Sequence, residues 1–305
     1  MSHLLHLRTY AMGCDFEVFA FGDDRGHVRS AAESAIEEIE RIEQLLSHYL
    51  PESEVSYLNA HAANEPVRVH PEVFDLLARA VHLSQQTGGA FDITVMPLVR
   101  CWGFFTGAGR VPDSQSLAEA LARVGFSHLR LCEEDLSIAF DTQGVEMHLG
   151  AIGKGYAVDK AVEVLRAAGV RSAMVHGGHS SVRAFGALPD AGGWQINLPH
   201  PLQPERSLAH LLLRDRAIST SSATEQYFER NGRRYGHILD PRSGLPVQND
   251  LVSVSVLAEE AMVADALSTA FFVLGEAGIR EYARHYPGVQ VAVLREDEAH
   301  LQWIP

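Results

Sequence analysis

Between Asp15 and Leu46 the hydrophobic period changes from two to between three and four, and that switch constrains the fold more than any other feature. Asp15 to Phe21 reads D-F-E-V-F-A-F, with charged residues at alternate positions at its start, the period of a half-buried strand that is expected to open a sheet. From Val28 to Leu46 the residues Val28, Ala32, Ile36, Ile39, Ile42 and Leu46 recur every three or four positions with mostly Glu, Arg and Ser between them, which predicts an amphipathic helix. Pro71 sits where a first helical turn tolerates proline, followed by Val73, Phe74, Leu76, Leu77, Ala80 and Val81, with Thr87-Gly88-Gly89 as the stop. Leu117 to Val124 reads as a third helix ending at Gly125. Leu129 to Leu131 and Leu136 to Phe140 read as a strand pair around Glu133-Glu134-Asp135.

Farther along, Tyr156 to Ala168 is helical and stops at Gly169, and Ala173 to Val175 and Val182 to Phe185 are short strands flanking Gly177-Gly178. Trp194 to Leu198, Leu208 to Leu213, Ala217 to Thr220, Arg234 to Leu239 and Val252 to Leu257 are β-rich, and Ala261 to Leu274 is a helix with Gly275 as its stop. Val289 to Leu294 and Leu301 to Ile304 should be the last strands. Strands and helices are grouped rather than strictly alternating, which predicts an α+β fold over a doubly wound parallel sheet. The Pro189 to Gly193 stretch and the Pro199-His200-Pro201 loop read as insertions between strands, too short for linkers, so one continuous domain over residues 1–305 is expected.

Charge and cysteine content narrow the function. Asp plus Glu number 39 against 25 Lys plus Arg, a formal charge of -14, which argues against nucleic acid as a partner. Cys14, Cys101 and Cys132 are widely spaced and include no CxxC pair, so neither a disulfide framework nor a thiolate zinc site is indicated. No leader pattern is read at Met1 to Tyr10, and apolar stretches such as Ala266 to Leu274 are about half the roughly 20 residues of a membrane helix. A soluble, cytoplasmic protein without a membrane segment is expected.

Four segments could carry chemistry. Gly150-Ala151-Ile152-Gly153-Lys154-Gly155-Tyr156 places three glycines and a lysine before a helix, where backbone approaches a ligand closely and a helix N-terminus offers N–H groups to an anion. The spacing matches neither nucleotide-binding glycine motif. Lys154 and Lys160 are the chain's only two lysines, so a phosphate partner weighs evenly against a plain capping turn. Asp265 and Thr269, four apart on a helix with Ser268 beside them, cluster hard oxygen donors suited to Mg²⁺; a solvated first-turn Asp with a packed Thr is the other reading. In His237-Ile238-Leu239-Asp240-Pro241 the imidazole of His237 is a candidate proton acceptor, in a chain with 16 histidines. Gly89-Ala90-Phe91-Asp92-Ile93-Thr94 leads to Met96-Pro97-Leu98 and Trp102-Gly103-Phe104, either an aromatic core or a place where a flat ring stacks.

Taken in order, Met12-Gly13, Ser47-His48-Tyr49, Gly89 to Thr94, Gly150 to Asp159, Gly177-Gly178, His237 to Pro241 and Ala264-Asp265-Ala266-Leu267-Ser268-Thr269 resemble the ApbE-like FAD:protein FMN transferases, colinearly from Met12 to Thr269. The resemblance implies a T-fold-like α+β domain with a mixed, largely antiparallel sheet and packed helices. It further implies FAD as substrate, Mg²⁺ as cofactor, and transfer of FMN to a threonine of an acceptor protein with release of AMP. Carried onto this chain, it gives Mg²⁺ to Ala151 (through its main-chain oxygen), Asp265 and Thr269, with Ser268 as a further donor. Flavin contacts would fall on Met12, Tyr49, Ala90, Phe91, Asp92, His148, Lys154 and Leu239. His237 would be the base, and Asp265 would count with it as catalytic.

Three positions depart from the family pattern. His148 stands in Met147-His148-Leu149-Gly150 where the family usually has Asp, His179 follows Gly177-Gly178 where Asp is usual, and Thr220-Ser221-Ser222 replaces Thr-Ser-Gly. Losing two carboxylates near a metal keeps two alternatives open: an FAD pyrophosphatase in which water replaces the threonine, and an FAD-binding protein without turnover.

Overall fold

The sheet that opens at Asp15 in the sequence reading begins one strand earlier. The computed structural model describes residues 3–178, 180–296, 298 and 300–304. In it β1 (His3–Ala11) pairs antiparallel with β2 (Cys14–Gly22) through the two-residue turn Met12-Gly13. Both turn residues have positive φ, 51° and 77°, as the tightest hairpin turn requires. Helix α1 (Arg25–Leu46) follows, its first amides accepted by the Asp24 carboxylate, and buries Val28, Ala32, Ile39, Ile42 and Leu46. After it come α2 (Glu54–His61), β3 (Val67–Arg68), α3 (Pro71–Gln86), α4 (Met96–Cys101), α5 (Ser114–Leu121), β4 (Leu129–Cys132) and β5 (Ser137–Phe140). Then α6 (Gly153–Ala167), β6 (Ser172–Gly177), β7 (Ser181–Phe185), β8 (Trp194–His200), β9 (Gln203–Leu213) and β10 (Arg216–Ser222) lead to β11 (Tyr227–Arg230), β12 (Arg233–Gly236), β13 (Leu239–Asp240) and β14 (Leu245–Pro246). The chain finishes with β15 (Leu251–Ala258), α7 (Ala261–His285), β16 (Gln290–Arg295) and β17 (Gln302–Ile304).

The main sheet has eight strands in the order β1-β2-β6-β7-β10-β15-β16-β17, every ladder antiparallel. The α+β class read from the grouped elements therefore holds. Helices α1, α6 and α7 cover one face and the β8–β9 hairpin covers the other, giving two cores separated by the sheet. Strand alternation sorts the side chains between them. On β15, Val254, Val256 and Ala258 join the helix-side core while Leu257 joins the core under the hairpin. Phe16 and Phe271, both fully buried in the helix-side core, are each worth about 1.5–3 kcal/mol of transfer free energy.

Three expectations change. Gly275 does not end the last helix: with φ 65° and ψ -178° it breaks the helical geometry for one residue, after which helix resumes to His285. By length and composition α7 is thus long and apolar enough to cross a membrane, but more than half of that apolar window is buried inside the protein. The Arg234 to Leu239 run is divided between β12 and β13, and Pro199 and His200 belong to β8, across an irregular register, rather than to a loop.

Candidate active site

Helices α6 and α7 start with no side-chain cap of their own. Each is capped by the other. The Asp159 carboxylate of α6 accepts the amides of Ala261 and Met262, both at 2.8 Å, and Asp265 Oδ2 of α7 accepts the amide of Gly155 at 3.0 Å. Asp159 is buried and also holds Arg183 at 2.7 Å. Gly155 is the residue that permits this crossing, because a Cβ there would lie 2.3 Å from the Ala261 carbonyl oxygen. The glycine read as room for a ligand is room for a helix.

Asp265 is only 4% exposed, which overturns the solvated first-turn reading. Its Oδ1 accepts the hydroxyls of Ser219 at 3.0 Å and Ser181 at 3.2 Å. Next to it Ser221 Oγ lies 2.8 Å from Ser268 Oγ and 3.2 Å from Thr269 Oγ1. Alternation on β10 explains the arrangement: Ser219 and Ser221 point to α7 while Thr220 and Ser222 point to the opposite face. The sequence reading missed Ser181 and Ser219 as partners of Asp265 and Ser221 as the partner of Ser268 and Thr269, although the run Ser219-Thr220-Ser221 carries the period-two signal that sets Ser219 and Ser221 on one face.

A cavity of about 530 Å³ opens beside this cluster and is lined there by Gly150, Ala151, Lys154, Asp265 and Thr269. The helix N-terminus offers an anion less than the glycine pattern predicts, because Gly153 N donates to Leu149 O and Gly155 N to Asp265. Lys154 supplies the positive charge instead, its Nζ 3.2 Å from the Gly150 carbonyl. At the other end the walls are aromatic. Tyr49 stands 66% exposed on the Ser47–Ser53 loop, which Ser53 Oγ closes on Ser47 O at 2.6 Å. Its ring stacks on Phe105 at 5.6 Å and 10°, and His48 packs between Tyr49 and His148 at centroid distances of 3.8 and 4.5 Å.

Titration divides the histidines from the carboxylates. Burial pushes His148 down to about 3, with His48, Lys154 and Arg100 adding to the effect, so the ring that replaces the usual carboxylate is neutral. Burial also lowers His48, whose Nε2 is buried without a hydrogen-bond partner among the described residues. His237 is held below the ordinary histidine value, again mainly by burial. Its Nδ1 lies 3.0 Å from the Gln226 carbonyl, which assigns the proton to Nδ1 and leaves Nε2 as an acceptor.

Most of the residues singled out from the sequence line this one cavity: Tyr49, Ala90, Phe91, Asp92, His148, Ala151, Lys154, His237, Leu239, Asp265 and Thr269. Asp92 does so with its carboxylate occupied, accepting Thr94 N at 2.8 Å, Thr94 Oγ1 at 2.6 Å and Phe126 N at 2.6 Å. Burial raises its pKa. It shapes the turn that presents Ala90 and Phe91. Met12 and Ser268 do not line the cavity. Met12 sits in the β1–β2 turn with its amide donating to Glu43 Oε1 at 2.5 Å, and Ser268 is fully buried with its hydroxyl donating to the Asp265 carbonyl. His179, the second departure from the family pattern, lies outside the described residues. Phe104 and Phe105 line the cavity as well, which favours the ring-stacking reading of the segment after Trp102, while Trp102 itself is buried and donates to the Gly244 carbonyl at 2.8 Å.

The oxygen donors of Ala151, Asp265 and Thr269 are hard, and among the described residues no group of three His, Cys, Asp or Glu competes as a metal centre. Among the described residues Asp265 Oδ2 accepts one hydrogen bond, from Gly155. That donor set fits Mg²⁺, which prefers oxygen ligands and retains water.

Comparison with known proteins identifies the family. The ApbE family model matches residues 12–293. The chain is 35% identical over 241 residues to a FAD:protein FMN transferase of Vibrio cholerae, covering 78% of this chain and 71% of that protein. To the FAD:protein FMN transferase of Haemophilus influenzae it is 33% identical over 307 residues, covering 96% and 87%. The crystal structure of an ApbE protein from Thermotoga maritima superposes with a TM-score of 0.89 at 31% identity, covering 98% of this chain and 96% of that one.

Proposed function

The chain belongs to the ApbE family, and from that premise we propose that it is an Mg²⁺-dependent FAD:protein FMN transferase that attaches FMN through a phosphoester to a threonine of an acceptor protein and releases AMP. One observation carries the reading: a single cavity joins a cation and hard-oxygen end, at Lys154, Asp265, Thr269 and Ala151, to an aromatic end at Tyr49 and Phe105, with His237 on its wall. A dinucleotide that pairs a diphosphate with a flat ring matches both ends.

The reaction is attack of a hydroxyl oxygen on phosphorus. The acceptor oxygen forms a bond to the flavin-side phosphorus, the bond from that phosphorus to the bridging oxygen breaks, and AMP leaves with that oxygen. Positioning and charge neutralisation dominate such a step. His237 accepts the hydroxyl proton at Nε2, which its Nδ1–H to Gln226 bond keeps available. Lys154 brings positive charge to the phosphates from the start of α6, and its place on the helix is fixed by the Gly155 bond to Asp265. Tyr49 and Phe105 give the ring system a stacking surface, and the neutral His148 beside it adds no charge. Ala151, Asp265 and Thr269 would hold Mg²⁺, which when bound neutralises charge developing on the diphosphate.

The test is incubation of the purified chain with FAD, Mg²⁺ and a set of threonine-bearing acceptor domains, followed by intact-protein mass spectrometry. The expected result is an acceptor carrying the mass of FMN together with one AMP per transfer. Free FMN and AMP with no labelled acceptor would make the protein a pyrophosphatase, and bound FAD that never turns over would make it a binding protein.

A further inference from the structure

In an acidic chain, a cluster of positive charge beside the base is the surface feature that asks for a partner. The β11–β12 hairpin, between Gln226 and His237, carries Arg230, Arg233 and Arg234 against one carboxylate, Glu229, in a chain of formal charge -14. All three arginines are exposed. Glu229 lies 3.6 Å from Arg234, and among the described residues neither Arg230 nor Arg233 has a carboxylate partner. The ladder sets those two directly opposite each other, an arrangement that destabilises an isolated hairpin. Charge guards a hairpin against edge pairing, but either sign does that, and carboxylates would match the rest of the surface. A basic tip on an acidic protein is complementary to an anionic partner.

The hairpin is tied to the flavin cavity at its base and along one face. The Gln226 carbonyl accepts the amide of His237 and lies 3.0 Å from His237 Nδ1, so the base of the reaction closes the hairpin. Phe228 and Tyr235, paired across the ladder, stack at 5.1 Å and pack on Phe104 and Trp102, each at 5.6 Å. Phe104 lines the cavity. Gly109 makes room for this contact, since a Cβ there would lie 2.5 Å from the Phe228 ring. At the tip Asn231 and Gly232 have φ of 53° and 73°, which makes the turn tight. Alternation puts Arg230 and Arg233 on the face of Phe228 and Tyr235, beyond the anchored rings. Arg233 is steadied by Gln248 and by the Tyr235 ring, 5.3 Å away, and Arg234 lies 4.1 Å over the ring of Tyr227. Four extended residues, about 13 Å, separate Arg233 from His237.

We infer that the β11–β12 hairpin docks the acceptor protein: Arg230, Arg233 and Arg234 meet carboxylates on the acceptor's folded surface about 13 Å from its threonine, and so bring that hydroxyl to His237. The inference rests on the transferase reading above and adds to it the means of recognising the acceptor. It gives an acidic enzyme a local attraction for an acidic partner that its net charge would otherwise repel.

The probe for the test is the acceptor domain that gains FMN from the unaltered chain. Arg230→Glu combined with Arg233→Glu should lower kcat/KM for acceptor at least about tenfold at low salt, through KM, with kcat and the Kd for FAD kept within about twofold. Near about 1 M salt, where the Debye length is about 3 Å, the difference should shrink to about twofold. Changing the acceptor's nearby carboxylates to amides should cost the unaltered chain a similar factor and the double variant nothing further. Unchanged acceptor KM in the double variant at low salt overturns the docking role and leaves the transferase reading standing. A weakened Kd for FAD with unchanged acceptor KM assigns the arginines to the nucleotide and overturns it too. If the double variant also loses kcat, Arg230→Gln with Arg233→Gln decides by the same measurements, with a rise in acceptor KM of about threefold expected. No labelled acceptor with the unaltered chain overturns both readings.

Discussion

The two ends of the flavin cavity are built by different means. At the oxygen end, Asp265 is fixed by three hydrogen bonds from α6, β7 and β10, all buried. At the ring end, Tyr49 stands on an exposed loop and its side chain meets His48 and Phe105 through ring contacts. The difference follows the chemistry each end must do. Charge developing at phosphorus is stabilised only by groups already in place, because reorganising them would consume the advantage. A flat ring is held by area, which tolerates small displacements. The oxygen end should therefore be intolerant of substitution and the ring end forgiving.

The sharpest break comes from Asp265→Ala. Removing the carboxylate deletes the donor proposed for Mg²⁺ and leaves the Gly155 amide and the Ser181 and Ser219 hydroxyls without their acceptor. Transfer should fall by at least about 10³-fold, and urea denaturation should show a loss of about 2–4 kcal/mol. Wild-type stability in this variant would mean that the hydrogen-bonded cluster does not fix the oxygen end. His237→Gln should lower kcat by about 10²–10⁴-fold with FAD affinity kept. In the unaltered protein the same base gives an acid limb: its pKa lies below 6.5, so activity persists through pH 6.5 and is lost only as pH falls through that depressed value. A pH–rate profile whose acid limb lies above 6.5 would remove His237 from the role.

The ring end predicts effects on stability and affinity rather than on turnover. His148 titrates at about 3 when folded against an ordinary 6.5, so below pH 6.5 the unfolded chain binds a proton that the folded chain refuses. Its stability cost is absent above pH 6.5 and grows as pH falls toward 3, by at most about 1.4 kcal/mol per pH unit. His148→Asn should flatten the stability profile between pH 6.5 and 4 by about one proton, measured by denaturation at several pH values. Tyr49→Ala is the mildest change. Loss of a stacking face at an exposed position should weaken FAD binding by about fivefold to tenfold, near 1 kcal/mol, and leave kcat nearly unchanged. A loss in kcat as large as that of Asp265→Ala would erase the distinction between the ends.

Much of the architecture is legible in hydrophobic period because burial enforces it. Helices α1, α3 and α6 and strands β2, β10 and β15 each present one or two faces to a core, and their patterns show it. Two of the elements that sequence reading passes over bury little. Strand β1 is a sheet edge with only Ala11 fully buried, and α2 buries Val55 and Leu58 alone, its start marked by the Ser53 cap. Gly275 is a stop by local rules, yet Ile279 and Tyr282 beyond it reach the core, and their burial restarts the helix. At the site, spacing on α7 places Asp265 and Thr269 on one face, but their partners on β7 and β10 are brought in by sheet order, which no local pattern encodes. The caps exchanged between α6 and α7 are invisible for the same reason.

Those exchanged caps also order events in time. The residues that complete them are 110 positions apart for Gly155 and Asp265 and 102 for Ala261 and Asp159. At about 5–20 residues per second, a ribosome takes roughly 5–20 s to cover that interval. Throughout it the start of α6 waits with an amide unanswered and Asp159 waits with a charge that burial would penalise. The oxygen end therefore cannot be complete until the last helix has been made.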